Sequence, residues 1–275
     1  MSPKRIDTLV EDIGRVLTDP PDITEEQTWG LANSLATVVS QKLAKSETPA
    51  ALRMSNLGTK CLRKLWYTVN TPQAAEPLRP EARLKFLYGD IIETLVLWLA
   101  KLAGHDVTGE QTELDINGVK GHRDAIVDGV LVDVKSASTY SFGKFKEHLK
   151  PETDAFGYLD QLGSYAHAGG QSEAAFIAVD KSLGHIVVDK HDVGQKDYSR
   201  FVDERKKVVA QPEPPKREYF DEVDGKSGNR KLGMECGYCP FKKSCWPGLR
   251  TFIYSNGPRY FTEIRREPDV PEVRD

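Results

Sequence analysis

The sequence has 275 residues, enough to bury the core of one large α/β domain or of a main domain with attachments. Its formal net charge is −3, so the chain has no overall positive field that would indicate a nucleic-acid partner. It contains no run of eighteen apolar residues, and its N-terminus lacks the apolar stretch of a secretory signal, so we expect a soluble cytoplasmic protein with no membrane partner.

The first third of the sequence is predicted to be helical. Apolar residues recur at helical spacing in four segments, residues 6–17, 24–43, 55–67 and 81–103. Ser55 is a candidate N-cap for the third helix, which would run through Cys61. The fourth helix is apolar over much of its surface, so we expect it to be buried. Two acids, Asp90 and Glu93, lie near its middle.

The chain then changes to the period of two that is typical of strands. Strands are predicted at 107–116, 119–127 and 130–136, joined by turns at Asn117-Gly118 and Asp128-Gly129. Helices follow at 139–149 and 154–168, then a hairpin around Leu183-Gly184 and a charged helix to about residue 210. We predict a main α/β domain over 51–249, a helical N-terminal segment, 1–50, and a C-terminal tail, 250–275.

The Asp128-Gly129 turn predicts how two acids are placed. A two-residue loop fixes the register of its strands, so Asp124 and Asp133 should face each other with Cβ atoms about 5 Å apart. Lys135 should project from the same face as Asp133. Two facing carboxylates repel each other unless a cation lies between them, and Mg²⁺ or Mn²⁺ prefers such oxygen ligands.

Each of these acids also has a plainer interpretation. Asp124 and Asp133 could simply face solvent, although the apolar runs beside them, Ala-Ile-Val and Val-Leu-Val, favour a mostly buried sheet. Glu93, which lies on an apolar helix, could reach solvent or accept a hydrogen bond. A buried carboxylate without a partner is costly, so a metal or a basic group is expected beside it.

Four short motifs occur in a fixed order: Gly89-x-x-x-Glu93, Gly121-His122-Arg123-Asp124, Asp133-Val134-Lys135 and Gln161-x-x-x-Tyr165. Each is weak alone, and without the other motifs Gln161 and Tyr165 would be interpreted as helix-packing residues. Together they resemble the RecB-like branch of the PD-(D/E)XK nucleases. The resemblance departs in two places, since many iron-sulfur relatives have His at the position of Glu93 and Glu at that of Asp133.

The resemblance implies a restriction-endonuclease-like core sheet flanked by helices. It implies that Glu93, Asp124 and Asp133, with the main chain of Val134, bind one or two Mg²⁺ or Mn²⁺ ions. Lys135 would then assist hydrolysis of a DNA phosphodiester, with Gln161 and Tyr165 beside it and the DNA backbone. Four local basic residues are candidate DNA contacts, namely Arg63, Lys64, Lys144 and Lys146.

The only four cysteines give a largely independent signal. Cys236, Cys239 and Cys245 are spaced Cys-x2-Cys-x5-Cys, whereas Cys61 is 175 positions upstream of Cys236. Four cysteines hold zinc or an iron-sulfur cluster, and the usual zinc ribbon presents two Cys-x2-Cys pairs. We therefore favour a [4Fe-4S] cluster over zinc or over buried unligated thiols. The arrangement resembles that of iron-sulfur RecB-like nucleases, which implies a C-terminal clasp.

These features predict a metal-dependent DNA nuclease, an exonuclease that acts on a single strand or a duplex end in recombination or repair. The motifs are shared with CRISPR-associated nucleases that process spacers, so that role is an alternative. A DNA-binding module with a metal clasp and no hydrolysis is a third. No Walker loop is present, so the chain carries no recognisable ATP motor.

Overall fold

A computed structural model of the chain describes residues 4–44 and 50–273. The chain forms two compact units. The first comprises the chain up to Lys60 and the segment from Arg79 to Lys206, and the second comprises Cys61–Leu78 and the chain from Lys207 onward. None of the helices in the described ranges is both long and apolar enough to cross a membrane.

The elements alternate between helix and strand along most of the chain. The helices are α1 (Leu9–Thr18), α2 (Glu25–Leu43), α3 (Met54–Leu57), α4 (Leu62–Asn70), α5 (Pro80–Leu102), α6 (Thr139–Lys146), α7 (Tyr158–Ala168), α8 (Tyr198–Val209), α9 (Met234–Gly237) and α10 (Lys242–Cys245). The strands are β1 (Val107–Thr108), β2 (Glu113–Ile116), β3 (Val119–His122), β4 (Ala125–Val127), β5 (Val130–Ala137), β6 (Glu173–Asp180), β7 (Ile186–Asp192), β8 (Asp221–Val223), β9 (Arg230–Leu232), β10 (Arg250–Tyr254), β11 (Gly257–Glu263) and β12 (Glu272–Val273).

The first unit is built on a five-stranded sheet with the order β1-β4-β5-β6-β7. Only the central pair, β5 and β6, is parallel. Side chains of these two strands alternate between two apolar layers, one with α1 and α5 and the other with α6 and α7. Burial on both faces explains why β6 reads as a continuous apolar run. The predicted α/β class is confirmed, whereas the restriction-endonuclease-like core stays a prediction.

Helix α5 is buried over only part of its length, so the expectation of a wholly buried helix was wrong. Its buried residues all lie in its second half, at Val96, Leu97, Leu99 and Ala100. In the first half, Leu84, Phe86 and Tyr88 are each about half exposed. The apolar composition of this helix therefore overstates its burial, because only the second half packs against the sheet.

The predicted helix from Ser55 through Cys61 is instead two short helices, α3 and α4. Between them lies Gly58, where an added Cβ would be 2.0 Å from the carbonyl oxygen of Gly157. The two backbones therefore cross in direct contact, which ends α3. Helix α4 begins after Cys61, whose Sγ accepts a hydrogen bond from the backbone N–H of Lys64 at 3.4 Å.

The second unit contains an antiparallel sheet with the order β12-β10-β11-β9-β8. Phe252 and Phe261 are its buried core, with ring centroids 5.7 Å apart. Residues from 250 onward had been predicted to form a tail, but they supply three of its five strands. Their alternating pattern is interrupted by prolines and charges, so it was not recognised; residues 274 and 275 lie outside the described ranges.

Candidate active site

The Asp128-Gly129 turn sets the register of β4 and β5 as predicted. Both turn residues have positive φ, 50° and 85°, as a two-residue hairpin loop requires. The pairs are Val127↔Val130, Ile126↔Leu131 and Ala125↔Val132. The ladder ends at Ala125, one residue before Asp124, so the register is confirmed while Asp124 itself lies just beyond the paired strand.

Asp124 turns its carboxylate toward the adjacent strand. Its Oδ2 accepts a hydrogen bond from the backbone N–H of Val134 at 2.7 Å. Burial, together with the charges of Asp133 and Glu93, raises the pKa of Asp124 well above its ordinary value of 3.8. The structure thus brings Glu93, Asp124 and Asp133 into one electrostatic cluster, here called the acid cluster.

Lys135 lies within this cluster. Its Nζ is 2.5 Å from Oδ2 of Asp133 and 4.8 Å from the centre of the Tyr158 ring. Burial alone would lower the pKa of Lys135, but the charges of Asp133 and Asp124 outweigh burial and raise it above 10.5. Lys135 is therefore a fixed cation that can donate hydrogen bonds and stabilise negative charge, and it cannot serve as a base at neutral pH.

Glu93 reaches the acid cluster from α5. Its Oε1 accepts a hydrogen bond from Nε2 of Gln111 at 2.8 Å. Burial is the largest cause that raises its pKa, to about 7, followed by the charges of Asp133 and Asp90. Three carboxylates with one lysine leave excess negative charge in a partly buried place, and a divalent cation would neutralise it.

Gln161 and Tyr165 lie one turn apart on α7 and face the acid cluster. Burial first, then Asp133 and Asp124, raises the pKa of Tyr165 to about 12, and a hydrogen bond with Gln161 opposes this shift. Gly121 is packed against this tyrosine, since an added Cβ there would lie 2.9 Å from its Oη. The glycine of the second motif is therefore required sterically.

The acid cluster opens into a cleft of about 1290 Å³ between α2 and α5. Glu93 and Asp124 line this cleft, so solvent or a ligand can reach them. Lys42 of α2 also lines it and pairs with Asp90 at 2.6 Å. Lys42 and Gln111 were not singled out from the sequence, because their places depend on the packing of α2 and on a left-handed residue at 111.

The four basic residues predicted to contact DNA are divided between the two units. Lys144 donates to the carbonyl oxygen of Thr153 at 2.9 Å, and Lys146, on the same helix, is exposed. Arg63 and Lys64 belong to the second unit, where Arg63 donates to the carbonyl oxygen of Pro215 at 2.6 Å. Arg63 thus has an internal partner, and DNA contact by all four stays a prediction.

All four cysteines lie in the second unit. Cys61 caps α4, Cys236 lies in α9, Cys239 follows α9, and Cys245 ends α10. Burial first, then the charges of the other three thiols, raises the pKa of Cys236 to about 11, and a hydrogen bond with Trp246 opposes this shift. The thiols are therefore close enough to repel one another as anions, as is expected of a set of metal ligands.

Two of the cysteines lie beside apolar side chains. Cys239 and Cys245 pack against an apolar cluster formed by Trp66, Tyr67 and Phe241. Four thiols can hold zinc or an iron-sulfur cluster, so the [4Fe-4S] cluster stays a prediction.

Comparison with known proteins gives only distant likenesses. The crystal structure of SSO0001 is 14% identical to this chain with a TM-score of 0.44, and the match covers 78% of this chain and 95% of that one. An alkaline exonuclease, LHK-Exo, from Laribacter hongkongensis is 23% identical with a TM-score of 0.30, covering 68% and 89%. Its complex with dAMP is 18% identical with a TM-score of 0.28, covering 73% and 83%. No protein-family model and no curated protein matches the chain.

Proposed function

We propose that this chain is a metal-dependent deoxyribonuclease that hydrolyses phosphodiester bonds of DNA. One observation carries the proposal: the acid cluster, which holds the cationic Lys135 against Asp133, opens through Glu93 and Asp124 into a cleft. The elevated pKa values of Asp124 and Glu93 express an electrostatic cost that a bound divalent cation would remove. Mg²⁺ or Mn²⁺ fits, because both prefer carboxylate and carbonyl oxygens.

The roles of the individual residues follow from their contacts. Glu93, Asp124 and Asp133, with the main chain of Val134, would hold the cation, which supplies Lewis acidity and a bound water of lowered pKa. Lys135 stays protonated and stabilises negative charge that develops on the phosphate. Gln161 and Tyr165 would position the DNA backbone or the attacking water from α7.

A single strand or a frayed duplex end is the proposed substrate, with exonucleolytic cleavage in recombination or repair. Phe156 is 67% exposed, and its ring centroid is 5.3 Å from that of Tyr158, the ring beneath Lys135. Exposed aromatic rings bind unpaired bases by stacking. A closed duplex has no unpaired bases along its length, so this binding favours a single strand or a frayed end. Tyr140, 79% exposed, and Lys144 extend this surface along α6.

The cysteines are proposed to hold a [4Fe-4S] cluster with a structural role. Hydrolysis of a phosphodiester transfers no electron, so the cluster is not needed in the reaction itself. Its four ligands come from three separate short segments of the second unit. We expect the cluster to join these segments, as structural metals do in folds with small cores.

The nuclease assignment is tested with the full chain purified anaerobically and end-labelled single- and double-stranded DNA, with Mg²⁺, Mn²⁺ or chelator. Lys135→Ala should lower kcat by about 10²–10³-fold, because it removes the buried cation beside the acids. Lys120→Ala is the matched control, since Lys120 is an exposed lysine on β3 that pairs with Glu113 at 2.7 Å.

The outcomes separate an enzyme from a binding module. Cleavage that requires the metal ion and Lys135, with unchanged circular dichroism, supports the nuclease. Equal cleavage by wild type and Lys135→Ala contradicts the assigned site. Tight DNA binding without cleavage under every metal condition would show a non-catalytic DNA-binding module.

A further inference from the structure

A second group of metal-ligand side chains lies in the first unit, away from the acid cluster. It consists of His148, just after α6, and of Asp189 and His191 on β7. Asp189 and His191 alternate along one strand and so project from the same face. One ligand atom from each of the three residues lies within 4.8 Å of the other two.

The distances within this group converge on Asp189. Nδ1 of His148 is 2.8 Å from its Oδ1, and Nε2 of His191 is 2.9 Å from its Oδ2. The two imidazole rings stack with centroids 4.4 Å apart and planes inclined by 17°. Both rings therefore direct a nitrogen to the Asp189 carboxylate. The three potential metal-ligand atoms thus lie around one point.

One nitrogen of the group lies near the carboxylate without a well-aligned hydrogen bond. The side chain of His191 is only 7% exposed, and the Nε2 distance would allow a hydrogen bond. Nevertheless, Nε2 has no partner at hydrogen-bond geometry. A buried imidazole nitrogen without an aligned partner is costly, and a metal ion coordinated by its lone pair would remove that cost.

The backbone around His148 is held in the same arrangement. His148 has a φ of 64°, in the left-handed region that non-glycine residues seldom adopt. The next residue, Leu149, is buried and donates its backbone N–H to Oδ2 of Asp189 at 3.0 Å. This bond fixes the loop and holds the exposed imidazole of His148 over the carboxylate.

We propose that His148, Asp189 and His191 form a second metal site, which takes Zn²⁺ or a neighbouring transition-metal ion such as Ni²⁺ or Cu²⁺. Two imidazole nitrogens and one carboxylate suit these ions, whereas Mg²⁺ prefers sites made of oxygen alone. The side chain of His148 is 58% exposed, so water can complete the coordination. The ion would tie the loop after α6 to β7.

This site is distinct from the acid cluster. Asp133 is paired with Phe176, which is paired in turn with Asp189, so the two acids lie on the same face but two strands apart. Adjacent strands are about 4.8 Å apart, which separates the two acids by about 10 Å at the backbone. The fully buried ring of Phe176 lies between them. One ion cannot serve both groups.

Differential metal binding tests the proposal. The full chain, purified anaerobically and kept in excess Mg²⁺ to occupy the oxygen ligands, is titrated with Zn²⁺ by calorimetry. His148→Ala removes the exposed ligand and is expected to keep the fold, which circular dichroism verifies. His185→Ala is the matched control, because His185 is an exposed histidine that directly precedes the same strand. Wild type and His185→Ala should bind one Zn²⁺ more than His148→Ala.

Electron paramagnetic resonance with Cu²⁺ gives a second measurement. Hyperfine coupling should show two imidazole nitrogens in wild type and one in His148→Ala. Equal Zn²⁺ stoichiometry in all three proteins would overturn the proposal and leave a hydrogen-bonded histidine pair. Zinc taken up by the cysteines would be the same in all three, so the difference does not depend on the identity of the cysteine-bound group.

Discussion

The acid cluster and the cysteine set are two groups of proposed metal ligands placed by different means. Asp133 and Lys135 lie on β5 and Asp124 directly precedes β4, and one tight turn fixes the register of these two strands. The cysteines come from the N-terminal end of α4, from the short helices α9 and α10, and from the loop between these two. A group on a regular sheet can be changed without loss of fold, whereas a group that joins irregular segments contributes to the fold itself.

The largest difference between the two groups should appear in the effect on activity when one ligand is removed from the acid cluster. Asp124→Asn keeps an oxygen to accept the Val134 N–H but removes a charge. We expect cleavage to fall by about 10³-fold, while the free energy of unfolding in chelator stays equal or increases, because like-charge repulsion is relieved. Steady-state kinetics and urea denaturation measure both. A loss of stability that matches the loss of activity would make the cluster structural.

The opposite result is expected for a cysteine. Cys245→Ser should remove the iron absorption of the anaerobically purified protein and destabilise the second unit, because metal binding is coupled to folding. Hydrogen exchange should increase over residues 61–78 and 207–273 and change little over β5 and β6. Unchanged iron content in this variant would contradict a four-cysteine cluster, and zinc without iron in wild type would remove the cluster from the proposal.

A smaller effect on stability is expected at the glycine that packs against Tyr165. Gly121→Ala places a Cβ 2.6 Å from Cβ of Met54, so we expect a loss of about 1–3 kcal/mol in the free energy of unfolding. Gly143→Ala is the control, since nothing lies within 4 Å of its added Cβ and it is within α6. That change should stabilise by about 0.5–1 kcal/mol. Equal effects at both sites would remove the packing argument.

The pH dependence of stability should report Glu93. Its pKa is raised from 4.5 to about 7 in the folded chain, so the folded state holds the proton more tightly than the unfolded state. In chelator, the free energy of unfolding should therefore fall as pH rises from about 4.5 to about 7. Glu93→Gln should flatten this part of the profile, as should saturating Mg²⁺. A profile identical in wild type and Glu93→Gln would contradict the shift.

The last expected effect concerns DNA binding by the exposed aromatic ring of Phe156. Phe156→Ala should weaken binding of single-stranded DNA by about 10–100-fold, because base stacking on one ring contributes about 1–3 kcal/mol. Fluorescence anisotropy in Ca²⁺ measures the loss, with duplex DNA as the comparison. An equal loss for both kinds of DNA would contradict the preference for unpaired bases.

Local rules predicted the parts of the molecule that depend on neighbours in sequence. The Asp128-Gly129 turn gave the register of β4 and β5 because two residues with positive φ leave one pairing. Thr24 likewise marked the start of α2, where its Oγ1 accepts from the Gln27 N–H at 3.2 Å. These features need no knowledge of the rest of the chain.

Features that depend on distant contacts were missed. Composition did not reveal that only half of α5 meets the sheet, nor that Gln111 binds Glu93. The grouping of His148 with Asp189 and His191 requires α6 to end against β7, which no spacing in the sequence indicates. The strands after residue 250 are a local exception: β10 and β11 pair directly, but prolines and charges interrupt their alternating pattern.

The crossing of Gly58 and Gly157 has a consequence for recognising relatives. Gly157 precedes α7, and an added Cβ there would lie 1.7 Å from the Gly58 oxygen, so neither position admits a side chain without moving the helix that carries Gln161 and Tyr165. A sequence with all the motif acids but a larger residue at either place cannot hold α7 as this chain does. Joint presence of the two glycines is therefore a stricter criterion for this arrangement than Asp-x-Lys.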